Sequence, residues 1–162
     1  RDVWVYADHV EVERIAALAG DRLVRVPITA NNSVPVDRVD LPLHWNGPAE
    51  LTLDSVSTVG LRSASFPSPR WLDLDATNRR GCLRLWTVDS LAMQPDEGVL
   101  VHLLFSVDSD LSFADNDIRL EDYGACQLQF VTDRGPYVPH VIDGSVSIRE
   151  EYIYRPSGRR QP

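Results

Sequence analysis

The residues that could do chemistry are few and scattered. Four histidines, His9, His44, His102 and His140, lie far apart, and no two share the spacing that puts metal ligands on one side of a helix or strand. His102 stands between Leu100 and Leu104, where a half-buried, hydrogen-bonded histidine is the ordinary reading. No serine sits in a G-x-S-x-G elbow and no glycine-rich loop could cradle a phosphate. Acidic pairs recur at Asp73/Asp75, Asp108/Asp110 and Asp115/Asp117. Such D-x-D pairs can offer oxygen ligands to calcium, but none extends to the glycine and glutamate of an EF-hand loop. Asp115 and Asp117, beside Asn116, are weak calcium candidates, and the ordinary role of these acids is to form turns and keep the chain soluble. Paired carboxylates could also hydrolyse glycosides, but one of them must be desolvated and nothing in the sequence marks which. We therefore expect no catalytic residue, no enzyme activity and no cofactor.

The two cysteines, Cys82 and Cys126, lack the close spacing of a zinc or redox motif. Two unpaired buried thiols and, in a secreted protein, one disulfide both fit this pattern. Among the aromatics, Trp45 reads as core. Trp71 and Trp86 are candidates for stacking on sugar rings, against the plainer role of covering a sheet edge. Trp4 and Tyr6 share a face of the first segment, and Tyr152 and Tyr154 share a face of the last. These four are candidate partner contacts, through strand addition to a neighbouring copy.

The elements that must position these residues are strands. The chain has 162 residues, enough for one domain with tails, and its 43% hydrophobic and 25% charged content is that of an ordinary globular protein. A net charge of −8 argues against a nucleic-acid binder. Every basic residue is an arginine, which removes lysine chemistry altogether. No apolar run is long enough for a membrane span. The chain begins at Arg1 rather than methionine and is read as a processed or excised piece.

The longest apolar run, GVLVHLLFSV over 98–107, predicts a central strand with Val99, Val101, Leu103, Phe105 and Val107 on one wholly apolar face. Alternation also predicts strands at 3–6, extending toward Glu13, and at 23–30, where Pro27 marks an edge or bulge. Further strands are expected at 38–45, from 51, at 82–88, 118–120, 126–131 and 145–149. RIAALA, 14–19, predicts one helical turn closed by Gly20, and 132–140 predicts a loop. About nine to eleven short strands with no long helix point to an all-β, antiparallel β-sandwich of jelly-roll type.

With the strands laid out, the pattern resembles the cohesin-like sandwich of bacterial extracellular proteins. The resemblance rests on AGDRLVRVPITANNSVPVDRVDLPLHW (19–45), LTLDSVSTVG (51–60), GVLVHLLFSVDS (98–109) and DGSVSI (143–148). It implies a cohesin-like sandwich over 19–149, preceded by an N-terminal strand and insert (1–18) and followed by a C-terminal extension (150–162). It also implies a secreted or cell-surface protein-binding module. The unusual ends favour self-assembly into a filament or surface layer. The alternatives are a receptor for a dockerin partner and a carbohydrate-binding module.

Overall fold

A computed structural model describes residues 8–64, 66, 69–87, 91–108 and 113–149. The expectations placed on Trp4, Tyr6, Tyr152, Tyr154 and residues 150–162 lie outside the described residues. Among the described residues thirteen strands form two facing sheets, and there is no helix. In chain order they are β1 (His9–Val12), β2 (Arg14–Leu18), β3 (Val24–Asn32), β4 (Arg38–Asn46), β5 (Leu51–Ser57), β6 (Arg70–Asp75) and β7 (Arg80–Trp86). There follow β8 (Asp96–Val107), β9 (Ala114–Leu120), β10 (Gln129–Thr132), β11 (Gly135–Tyr137), β12 (His140–Ile142) and β13 (Gly144–Arg149).

The smaller sheet runs β12-β1-β3-β8-β5. The larger runs β11-β10-β4-β9-β13-β2, and β7 then β6 extend it from the other side of β4. Pairing is antiparallel except for two parallel pairs, β1 with β12 and β2 with β13. Alternation along each strand fills the space between the sheets. Val24, Val26 and Ile28 of β3 and Leu103 and Phe105 of β8 face Leu41, Leu43 and Trp45 of β4 and Ile118 of β9, all buried. Fully burying one such aliphatic or aromatic side chain contributes about 1.5–3 kcal/mol. Trp45 packs edge-on against Phe105 at 5.8 Å and donates its indole N–H to the Leu51 carbonyl.

Four sequence expectations are corrected. RIAALA is not a helical turn: Arg14–Leu18 is an edge strand laid parallel to β13, with Ile15 and Ala17 turned toward the core. Its alternating burial outweighs the helical preference of alanine, because propensity is a weak prior against tertiary pairing. The apolar face of the central strand is broken at Leu100. Ile28 pairs with Val101 but Thr29 pairs with Val99, so Leu100 is the extra residue of a bulge. Beyond it the alternation reverses, and Val99 leaves the face of Val101. Residues 135–137, expected as loop, are a strand, and a further strand, 140–142, begins at the last residue of that expected loop. The strand count exceeds the expected range, because Arg14–Leu18 and Gly135–Tyr137, expected as turn and loop, and His140–Ile142 add strands of their own.

Two prolines mark two places where strand pairing breaks off. In an extended strand a residue's N–H and C=O point to the same side. The Pro27 carbonyl accepts from Glu13 N, so the N–H it lacks would face β1, at the point where that strand leaves for the other sheet. The Pro42 carbonyl accepts from Glu121 N, so its missing N–H faces the point where β9 breaks off from β4. The N-terminal segment crosses between sheets at Glu13. Residues 8–18 are thus built into both layers of the sandwich.

Candidate binding face

The outer face of the larger sheet carries His44, Asp73, Asp75, Asp115 and Asp117 of the side chains singled out in the sequence, among other polar residues that the sequence did not mark. Register places them in rows. Asp40 of β4 pairs with Arg84 of β7 and Gln129 of β10, and Arg84 pairs with Arg70 of β6. The next row is Pro42, Cys82 and Asp73; the one after is His44, Arg80 and Asp75. On the other flank, β9 turns Asp115, Asp117 and Arg119 outward, beside Ser145, Ser147 and Arg149 of β13.

Asp40 is the anchor of the first row. Its carboxylate is only 3% exposed, yet it stands on an outer face. Arg84 donates to it twice, Nε to Oδ1 at 2.7 Å and a terminal nitrogen to Oδ2 at 3.0 Å. Gln129 donates to Oδ2 at 2.8 Å. Arg38 Nε lies 3.3 Å from the same oxygen, near enough for an ion pair but not aligned for a hydrogen bond. A buried carboxylate is tolerated only when its lone pairs are filled; here Arg84 and Gln129 fill them with hydrogen bonds, and Arg38 adds a second positive charge. The same contacts fix both guanidinium groups against the sheet. No single residue's sequence context signals this cluster; it requires the pairing of β4, β7 and β10.

The second row holds an excursion. β9 and β10 lie along the same side of β4, and the residues between them, 121–128, fold out over the face as a flap. Reciprocal backbone hydrogen bonds between Tyr123 and Cys126, 3.0 and 2.9 Å, close its tip. Gly124 takes the left-handed conformation (φ 52°) that the tip requires. At its base the Asp122 carboxylate accepts from Leu128 N. A disulfide between Cys82 and Cys126 pins the flap to β7. Arg80 stacks its guanidinium over the Tyr123 ring at 5.1 Å. Burial, with Asp73 and then Asp75 opposing Arg80, raises the Tyr123 hydroxyl above the usual tyrosine range.

The calcium candidates are placed apart from any cage. Asp117 pairs with Arg119 at 3.0 Å, while Asp115 accepts from Ser147 and Arg149. Those hydrogen bonds, the serine's first, hold the Asp115 carboxyl below the usual carboxylate range. Asn116 between them points inward and clamps both backbone groups of Ala49. Among the described residues no group of three or more acidic, histidine or cysteine side chains is arranged to hold a metal.

The aromatic candidates separate. Trp86 stands half-buried on the outer face, paired with Arg38 in register. Trp71 does not present a free outer ring: it packs against the core from the edge of the sheet, over Gly81, where a side chain would collide with its ring. His102 lies on the outer face of the smaller sheet. Burial first, then the Arg25 guanidinium, hold its imidazole below the usual histidine range, with Glu13 pulling the other way.

No protein-family model matches the chain, and no curated protein matches it. Solved structures do. The seventh ScaB type I cohesin of Pseudobacteroides cellulosolvens aligns over 96% of this chain and 99% of its own, with a TM-score of 0.68 at 19% identity. The fold is cohesin-like. The third ScaC cohesin of Acetivibrio cellulolyticus, solved with the ScaB dockerin, gives a TM-score of 0.69 at 18% identity, covering 88% of this chain and 99% of that one. A non-cellulosomal cohesin of the archaeon Archaeoglobus fulgidus gives 0.67 at 15% identity, covering 90% and 94%.

Proposed function

We propose that this chain is a non-enzymatic, secreted protein-binding module that docks a dockerin-type partner on the outer face of its larger sheet. The observation that carries this reading is the row built on Asp40. It fixes Arg38 and Arg84 by buried ion pairing before any partner arrives, so little side-chain entropy remains to be lost on docking. The cohesin-like fold supports the choice of partner, since several of the similar structures were solved as cohesin–dockerin complexes. Arginine held in a rigid fork is also among the residue types that dominate interface energetics.

Self-assembly through Trp4, Tyr6, Tyr152 and Tyr154 ranks below this reading. Those residues lie outside the described structure, and the complexes just cited pair a cohesin with a dockerin. Sugar binding ranks lower again, because of the two tryptophan candidates Trp71 turns inward and only Trp86 stands on the face. The test is surface plasmon resonance against a panel of dockerin modules. We expect at least one to bind, and Arg84→Glu to weaken it about tenfold or more. A panel in which no dockerin binds, or a complex indifferent to Arg84→Glu, overturns the reading.

A further inference from the structure

The flap alters what the outer face can accept. It rises over Pro42 and Cys82 in the middle of the sheet, so a flat partner cannot lie across β4 and β7 without meeting it. Between the flap and the edge strand β6 lies a cavity of about 400 Å³, lined by Leu72, Asp73, Arg80, Tyr123, Ala125 and the disulfide. Its lining is apolar along Leu72, Ala125 and the sulfurs, and Leu72 is 46% exposed with nothing described covering it. On the other side of Tyr123 a smaller hollow is lined by His44, Glu121 and Asp122.

The charge of this region is one-sided. Asp73, Asp75, Glu121 and Asp122 face Arg80 as the one arginine in either hollow among the described residues. Arg80 is already committed, stacked on Tyr123 and 3.8 Å from Asp75. Asp75 is further engaged by Asn78, and Asp122 by Leu128 N. The carboxylates of Asp73 and Glu121 have no hydrogen-bond or ion-pair partner among the described residues, unlike Asp40, Asp115 and Asp117 on the same face. A slot of mixed polarity, with aliphatic surface beside an unpaired carboxylate, suits a side chain with a long aliphatic stem and a cationic head.

We infer that the groove between the flap and β6 is an anchoring subsite for a lysine or arginine side chain of the protein partner. The stem lies along Leu72, Ala125 and the disulfide, and the charged head meets Asp73, with Glu121 adding to the negative field. The inference rests on the binding-face reading and adds to it a residue-level specificity. The disulfide is a structural part of this site: it supplies the floor and holds the flap that forms one wall.

The probe is a random dodecapeptide display library panned on the intact, disulfide-bonded chain. Recovered peptides should be enriched in Lys or Arg beside an aliphatic residue. Their capture should fall about tenfold on the Asp73→Asn/Glu121→Gln double variant, the loss of one well-placed ion pair and its field. It should also weaken with added salt. Both substitutions are on exposed carboxylates, and an unchanged circular dichroism spectrum and melting temperature certify the variant's fold. Peptides without basic enrichment, or captured equally by the double variant, overturn the groove. Peptides lost on Arg84→Gln but kept by the double variant also overturn it, while leaving the face reading standing. A library yielding nothing above background overturns it as well, and the dockerin panel then judges the face on its own.

Discussion

Asp40 and His102 illustrate two fates of a polar residue placed on the outer side of a strand. Asp40 is sealed by arginines, and replacing its charge leaves them facing a neutral amide. Asp40→Asn should destabilise the fold by about 2–3 kcal/mol, below the range for breaking a fully buried pair because both guanidinium groups keep some solvent. Urea unfolding with an unchanged m-value would establish it. His102 is held neutral by burial and by Arg25. Its folded pKa lies below the unfolded one, so as pH falls the unfolded chain takes up the proton first. The contribution is complete above the ordinary histidine value of about 6.5 and is lost as pH drops through the folded value. His102→Gln should therefore flatten the fall in melting temperature between about pH 7.5 and 5, measured by calorimetry. A wild-type-like pH dependence in that variant would assign the fall to other groups.

At the scale of the element, the flap shows how local chemistry and distant pairing combine. Gly124 permits the tip, Asp122 closes the base, and Pro42 withholds the ladder hydrogen bond that would keep the strand running. Each of these residues is visible in the sequence. That the excursion folds toward β7 rather than into solvent depends on Cys82, Cys126 and Arg80, which meet only because β7 lies against β4. The Cys82→Ser/Cys126→Ser variant frees a long loop in the unfolded chain, and chain entropy sets an upper bound of about 4 kcal/mol on its loss of stability. Hydrogen exchange should accelerate at Tyr123 and Cys126, which close the tip, while the β4 amides stay protected. Loss of protection across β4 would mean that the disulfide holds the sheet and not only the flap.

At the scale of the whole molecule, the two parallel pairs close the sandwich. The N-terminal segment pairs with β12 in one sheet and β13 in the other, joining the two ends of the described chain. Gly144 starts β13 directly against the backbone of Val12 and Glu13, where the N-terminal segment changes sheets. Backbone cannot yield as a side-chain tip can, so Gly144→Ala should cost about 2 kcal/mol and lower the melting temperature in a single cooperative step. A neutral outcome would show that the crossing is looser than its contacts imply. What the sequence determined by itself was the layer each residue belongs to. Period-two alternation marked Val24–Ile28, Leu41–Trp45 and Leu83–Leu85 as inward-facing, and that pattern carried the cohesin-like resemblance. It also set Cys82, Arg84 and Trp86 together on one face. Only the tertiary structure decided which strands neighbour which. It turned RIAALA into a strand by offering β13 as a partner, reversed Val99 at a one-residue bulge, and brought Asp40 to Arg84 and Gln129. Side-chain alternation is written locally along the chain, whereas strand order and register are set by contacts between residues far apart in it, and the candidate binding face is made of those contacts.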